Sequence, residues 1–274
     1  LWIARSENVV VYDGGAFEQV IDSSQLGQGT TWSFCEAPDG TVWAAAAKGL
    51  VRWKDGKATL ISTKDGLPAS RLRSVCLDRD GSLWIGTNGG GLVRMRDGRF
   101  TSFTTKTGFP GDQVISVLPD PRGGVWATTS GEGLARVEGD GVRVFGTADG
   151  LPVDQLTALA FDDAGDLWIG TWGKGVCRMR DGVFSSIGGP PLSDDKVWSI
   201  LPDREGFVWI GTWVGGLNRL RDRRFPVIGA AEGLSHDNVR SVLHARDGSV
   251  WLATAGGGLN RLHDGRVESI RKAD

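Results

Sequence analysis

The residue types that could catalyse a reaction or bind a metal are few in this sequence. Three histidines, His236, His244 and His263, lie near its C-terminal end, but their spacing matches no metal-binding motif. Serines recur at regular intervals, yet a nucleophilic serine needs a neighbouring base and these histidines are the only ones in the chain. We therefore predict no catalytic residue, no metal site and no cofactor.

Tryptophan can stack on a ligand and arginine can hydrogen-bond to one. The positions of both residue types in this chain follow a sequence repeat. Seven tryptophans recur every 41 or 42 residues. A period of about 40–45 residues is typical of β-propellers, in which each repeat forms one four-stranded sheet. We call these the register tryptophans: Trp2, Trp43, Trp84, Trp126, Trp168, Trp209 and Trp251.

Each repeat contains four short runs of strand-forming residues, which we call strands a to d. In the third repeat they are Leu72–Leu77, Leu83–Thr87, Leu92–Met95 and Phe100–Phe103. Glycine always stands three residues before the register tryptophan of a complete repeat, and it favours a tight turn between strands a and b. Asp-Gly pairs predict the turns between strands c and d: Asp13-Gly14, Asp55-Gly56, Asp97-Gly98, Asp140-Gly141, Asp181-Gly182 and Asp264-Gly265, with Asp222-Arg223 as the exception.

Such sheets must be stacked to bury their faces, which a propeller achieves. We predict an all-β, seven-bladed β-propeller of four-stranded antiparallel blades in one domain, residues 1–274. Residues 1–28 supply only strands b, c and d, so the first blade is predicted to be incomplete and the chain to be a fragment. The predicted blades are residues 1–28, 29–69, 70–111, 112–153, 154–194, 195–236 and 237–274.

A ligand would be recognised at positions that vary between repeats. Eleven residues before the register tryptophan the repeats carry Trp32, Arg73, Ile115, Thr157, Trp198 and Arg240, and four residues after it two repeats carry Trp172 and Trp213. Indole faces can stack on sugars or aromatic rings, and arginine can donate to hydroxyls or carboxylates. We predict that a ligand binds Trp32, Arg73, Trp172, Lys174, Trp198, Trp213 and Arg240. The alternative is that these tryptophans pack on neighbouring loops and fill the channel mouth.

Positions that are uniform across the repeats are interpreted as structural. Buried arginine needs an oxygen partner, so we expect arginines of strand c to bind aspartates or carbonyls in a ring that holds the blades in register. The arginines are Arg52, Arg94, Arg136, Arg178, Arg219 and Arg261; the aspartates are Asp78, Asp120, Asp162 and Asp203. Cys35 and Cys76 share an apolar position and are expected to be buried thiols.

The repeated motif resembles the two-component-regulator propeller repeat. It appears as Gly66-Leu67-Pro68, Gly150-Leu151-Pro152, Leu83–Thr87, Leu167–Thr171 and Val208–Thr212. The resemblance implies a periplasmic ligand-binding sensor domain of a bacterial signalling receptor, not itself an enzyme. It also implies a small-molecule or oligosaccharide ligand and output domains outside this chain, such as a histidine kinase or a diguanylate cyclase.

Two other functions stay open at this stage. The first is an enzyme of the lyase or hydrolase type, since fold alone does not exclude chemistry. The second is a protein-interaction or dimerisation scaffold, and a homodimer is possible in either reading. The net charge of −2, with both signs interspersed, argues against a nucleic-acid partner.

Overall fold

A computed structural model describes residues 1–5, 8–12, 16–22, 30–189, 192–220, 227–245 and 247–270. The chain divides into two compact units, Leu1–Val144 and Phe145–Asp274. In the described residues the strands form seven antiparallel sheets, one for each register tryptophan. Among the same residues, no helix is long and apolar enough to span a membrane.

The sheets of the first unit follow one another in chain order. The first has three strands, β1 (Trp2–Ala4), β2 (Val9–Tyr12) and β3 (Phe17–Ile21). Three four-stranded sheets follow, the last ending at the unit boundary: β4 (Thr31–Glu36), β5 (Val42–Ala46), β6 (Gly49–Lys54), β7 (Lys57–Ile61); β8 (Leu72–Leu77), β9 (Leu83–Thr87), β10 (Leu92–Arg96), β11 (Arg99–Phe103); β12 (Val114–Pro119), β13 (Val125–Thr129), β14 (Leu134–Glu138), β15 (Gly141–Phe145).

The second unit contains three further four-stranded sheets. They are β16 (Leu156–Phe161), β17 (Leu167–Thr171), β18 (Val176–Arg180), β19 (Val183–Ile187); β20 (Val197–Pro202), β21 (Val208–Thr212), β22 (Leu217–Leu220), β23 (Val227–Ile228); β24 (Val239–His244), β25 (Val250–Thr254), β26 (Gly258–His263), β27 (Arg266–Ile270). Within each unit, the strands a of neighbouring blades contact each other.

The predicted fold class, a seven-bladed propeller of four-stranded blades with an incomplete first blade, is confirmed. The predicted strands of the third repeat match β8 to β11 to within one residue at each end. The division into one domain stays a prediction. The predicted turns Asp13-Gly14 and Asp222-Arg223 lie outside the described residues.

The structure corrects one turn and adds elements that the pattern did not predict. In the fourth blade the c–d turn is Gly139-Asp140, one residue earlier than predicted, because Gly139 takes the left-handed conformation (φ 61°) that Asp55 or Asp97 takes elsewhere. Among the described residues, four 3-10 helices precede strand a in the connections from the previous blade, each ended by a left-handed glycine. They are Thr63–Asp65, Thr105–Thr107, Thr147–Asp149 and Ala230–Glu232.

In the described residues, four of the register tryptophans are hydrogen-bonded by the aspartates six residues before them. One carboxylate oxygen of Asp162 accepts backbone N–H groups of the a–b turn, at 2.9–3.0 Å, and the other accepts the Trp168 Nε1–H at 2.8 Å. The same pairing occurs at distances of 2.7–3.0 Å in three other blades. Each of these aspartates therefore joins the turn to the tryptophan of its own blade.

The expected ring of Arg–Asp or Arg–carbonyl contacts between blades is present in part. In the described residues four of the six arginines of strand c bind an aspartate, but three of them do so within their own blade. All six also lie over the register tryptophans of their own blades, 5.2–6.0 Å from the ring centroids. Arg136 also bonds Asp120 within its blade at 2.8 Å. Arg94 does reach the next blade, donating to the Gly139 carbonyl and to Asp140 at 3.1 Å. Stacking on tryptophan is thus the shared role of these arginines.

Uniform small and hydroxyl residues also have packing roles. The Thr171 hydroxyl donates to the Gly175 carbonyl and accepts the Lys174 N–H, which closes the b–c turn. Ser33 exchanges hydrogen bonds with the backbone of Val75 in the next blade. The cysteines are free thiols, Cys76 and Cys177 buried and Cys35 half-buried, and burial raises the pKa of Cys177 to about 11.

Close contact between blades explains the glycine in the Ile-Gly-Thr motif. A methyl group on Gly86 would lie 2.4 Å from the Ser74 Oγ and 2.9 Å from the Val114 Cγ1 of the next blade. We expect Gly86→Ala to lower the free energy of unfolding by about 1–3 kcal/mol through overpacking, as measured by urea unfolding. The control is Ala45→Gly at the equivalent position of the second blade, where a loss of about 1 kcal/mol or less is expected. Unchanged stability of Gly86→Ala would contradict this packing argument.

Candidate ligand-binding site

The variable position of strand a is a β-bulge in every complete blade. In the sixth blade Val197 pairs with Thr212 and Ser199 pairs with Gly211, so Trp198 has no partner on strand b. The same shift in register occurs at Trp32, Arg73, Ile115, Thr157 and Arg240. Bulges redirect a side chain away from the regular sheet and often lie beside binding sites. The strand-a positions predicted to recognise a ligand are thus the ones at which the regular pairing with strand b is interrupted.

Backbone hydrogen bonds bring Trp172 and Trp213 to the beginning of the strand that carries Trp198. Trp172 follows β17, and it forms an isolated bridge with Lys196. Trp213 follows β21, and its N–H donates to the Lys196 carbonyl at 2.9 Å. Lys196 directly precedes β20, whose second residue is Trp198. One short segment of the sixth blade therefore holds all three tryptophans together.

The three indoles form a cluster in which every ring contacts the other two. The centroid of Trp172 lies 5.3 Å from that of Trp198 and 5.4 Å from that of Trp213, with nearly perpendicular planes. Trp198 and Trp213 are 5.4 Å apart and tilted by 33°. All three side chains are half-buried. We call Trp172, Trp198, Trp213, Lys196 and Arg240 the aromatic site.

Two cations cover parts of the aromatic site. The Arg240 guanidinium carbon lies 4.9 Å from the centroid of Trp198 and 5.2 Å from that of Trp213. The Lys196 ammonium lies 5.5 Å from the centroid of Trp172. Both residues are exposed. Cation–π attraction stabilises these arrangements, and it leaves the charged groups facing solvent.

Carboxylates beside the aromatic site are occupied by backbone groups. The two oxygens of Asp194 accept the N–H groups of Lys196 (3.1 Å) and Val214 (3.0 Å). Asp195 accepts the N–H of Gly189 at 2.8 Å, and its carbonyl accepts the N–H of Gly173. These bonds tie the loop before β20 to the b–c turns around it. The aspartates thereby hold the tryptophans in place.

The first unit carries a smaller version of the same contact. Arg73 stacks on Trp32, 4.7 Å from its centroid, and both lie at bulge positions of neighbouring blades. Burial and the charge of Arg71 lower the pKa of Arg73. Trp32 is 48 % exposed. This pair lacks the additional tryptophans, because in the sequence Ser6 and Ala47 occupy the positions equivalent to Trp172 and Trp213.

The predicted site residues thus fall into three groups. The structure brings together Trp172, Trp198, Trp213 and Arg240, and it pairs Trp32 with Arg73 in the other unit. The side chain of Lys174 is exposed on the b–c turn, and its backbone N–H bonds Thr171. Lys196 was not predicted from the sequence, although its place two residues before Trp198 is the signal that could have identified it. Ligand binding by any of these residues stays a prediction.

Two of the three histidines contact residues outside the aromatic site. His236 accepts the N–H of Asn238 at 2.9 Å, and His263 lies 3.6 Å from Asp264. Within the described ranges, no three histidine, cysteine or acidic side chains are grouped as metal ligands. What the site offers instead is stacking surface and hydrogen-bond donors.

The repeated four-stranded meanders and their register tryptophans define a β-propeller protein. Within that class, three segments of the chain match the family model described as two component regulator propeller: residues 66–89, 150–173 and 191–214. These three segments are thus similar to the two component regulator propeller repeat, as the motifs predicted. The second and third segments include Trp172, Trp198 and Trp213. A comparison with curated protein sequences found no match.

Solved structures share the fold at low sequence identity. One is an extracellular domain attributed to the hybrid two component system BT3049 from B. thetaiotaomicron: TM-score 0.77, 20% identity, 89% of this chain and 35% of that one. The chain thus spans about a third of that neighbour. Virginiamycin B lyase from Staphylococcus aureus is also similar: TM-score 0.72, 17% identity, 89% of this chain and 85% of that one. At identities of 17–20% these likenesses show a shared fold.

Proposed function

We propose that the chain is the ligand-binding input domain of a bacterial signalling receptor, and that the aromatic site binds the ligand. The observation that carries the proposal is the cluster of three half-buried indoles, 5.3–5.4 Å apart, on one face of the second unit. Exposed aromatic clusters are unusual on soluble domains and often mark binding surfaces. Neighbouring tryptophan faces suit a ring-shaped ligand such as a sugar or a small aromatic molecule.

The family match and the two-component neighbours support placement in a receptor. By this proposal the domain lies in the periplasm, does not catalyse a reaction, and passes its signal to output domains such as a histidine kinase. The neighbours include lyases at 14–17% identity, a level at which the likeness concerns the fold. No observation at the histidines favours lyase chemistry over binding.

A binding screen tests this function directly. The full chain would be mixed with neutral and charged oligosaccharides and with small aromatic metabolites, and its melting temperature and tryptophan fluorescence recorded. A ligand that binds only the folded state raises the melting temperature, and contact with the cluster is expected to change the fluorescence. Trp198→Ala should lose both responses to that ligand. A ligand response that persists in Trp198→Ala would remove the aromatic site from the proposal.

A further inference from the structure

In the part of the chain that the structure describes, the two cations of the aromatic site form no ion pair. In the described part of the second unit, Arg178, Arg180 and Arg261 each form an ion pair with an aspartate. No ion pair joins Arg240 or Lys196 to a carboxylate among the same residues. Both cations instead lie over indole rings. They are therefore free to bind an anion from solution.

Stacking also prepares the guanidinium for such a contact. Arginine carries its five N–H donors in the plane of the group, so a ring beneath that plane leaves the donors at its edge accessible. Arg240 contacts two rings, Trp198 and Trp213, which restrict its rotation. A planar, restricted guanidinium binds carboxylate or sulfate oxygens in a two-point geometry with less entropy loss than a free side chain.

The polar groups of the aromatic site, on Arg240, Lys196 and the three indoles, are all hydrogen-bond donors. The carboxylate oxygens of Asp194 beside it already accept two backbone N–H groups. A neutral polyhydroxylated ligand would benefit from acceptors as well as donors, whereas an anion needs donors and positive charge. The balance of groups favours the anion.

We propose that the ligand of the aromatic site is an anion that combines a ring with a carboxylate or sulfate group. The ring face stacks on the cluster, and the anionic group is bound by Arg240 with Lys196 beside it. This inference rests on the proposed function and names the chemical class of its ligand. A uronate oligosaccharide and an aromatic carboxylate share that chemistry, and the experiment separates them.

The test compares anions with neutral ligands of the same shape. Tetragalacturonate and its methyl ester form one pair, and 2-naphthoate and 2-naphthamide form the other; each is titrated calorimetrically into the full chain. We expect one anion to bind about tenfold or more tightly than its neutral partner, since hydrogen bonds to charged groups are the stronger ones. Added salt should weaken the binding of the anion but leave the binding of its neutral partner unchanged.

Arg240→Gln should remove the preference for the anion, and Arg240→Lys should retain part of it. The matched control is Arg204→Gln, which removes the same charge from an exposed position just beyond the other end of β20. It should leave the preference intact. Thermal melts of all three variants check the fold.

Several results would overturn the inference: equal binding of the two members of each pair, no binding of either anion, or an anion preference that survives in Arg240→Gln. The proposed function would fail differently. If a neutral ligand binds and loses its affinity in Trp172→Ala, the aromatic site is a binding site but not an anion site. If no ligand depends on Trp172, the proposed function itself is wrong.

Discussion

Replacing Asp120 with alanine is expected to lower the free energy of unfolding by about 2–4 kcal/mol. The Asp120 side chain is completely buried. It accepts the Arg122 N–H at 2.8 Å, the Trp126 Nε1–H at 3.0 Å and the Arg136 Nε–H at 2.8 Å. Its removal takes this carboxylate away from the Trp126 Nε1–H and the Arg136 Nε–H, while Arg136 keeps its bonds to Glu138 and to the Gly123 carbonyl. Urea unfolding at neutral pH measures the loss.

Asp203→Ala is the matched control for this prediction. Asp203 occupies the same position in the sixth blade and accepts the Trp209 Nε1–H at 2.7 Å, but no ion pair with an arginine is found for it among the described residues. Asp203→Ala should lower the free energy of unfolding by about 1–2 kcal/mol, as expected for the loss of hydrogen bonds alone. Equal losses in the two variants would show that the Arg136 contact contributes nothing.

The same carboxylate makes stability depend on pH. Burial alone would raise the pKa of Asp120, but hydrogen bonds from Arg122, Arg136 and Trp126 outweigh it, and the pKa is lowered. The carboxylate's contribution is therefore complete above the unfolded pKa of about 3.9 and is lost as the pH falls through the lower folded pKa. We expect Asp120→Asn to lose less stability than the parent chain between about pH 6 and pH 3. A parallel decline of the two proteins would contradict this assignment.

The fold could be predicted from the sequence because its determinants repeat. A tryptophan every 41 or 42 residues and a glycine before it specify the period and the a–b turns, and these signals are local. The tryptophan partners of the aspartates were not predicted, because spacing along the chain does not reveal which neighbours a side chain faces. Asp162 bonds Trp168, six residues away, whereas Arg178 stacks on the same ring from the adjacent strand.

The candidate site could be predicted only in part. Variation between repeats identified Trp172, Trp198, Trp213 and Arg240, but the bulge depends on the pairing of β20 with β21, which no single residue encodes. Arg240 meets Trp198 across the boundary between two blades, so their contact depends on blade packing. Lys196 was not predicted, because its bridge to Trp172 and the bond from the Trp213 N–H depend on strand pairing that the sequence does not show.

Replacing both Trp172 and Trp213 with alanine is expected to lower affinity for the ligand found in the screen at least about 100-fold, because buried aromatic anchors dominate binding energy. The two rings contact each other and Trp198, so their loss removes most of the stacking surface. Isothermal titration calorimetry measures the affinity.

The double variant should remain folded. Both rings are half-buried and follow strands β17 and β21 instead of lying inside them, and their backbone N–H bonds to Gln155 and Lys196 do not need the side chains. Val214→Ala is the matched control, since Val214 is 59 % exposed beside Trp213 and has no part in the cluster. It should bind with the parent affinity. Binding of the ligand by a folded double variant with unchanged affinity would exclude the aromatic site, whereas loss of the β-sheet circular dichroism signal would contradict the scaffold role assigned to the backbone.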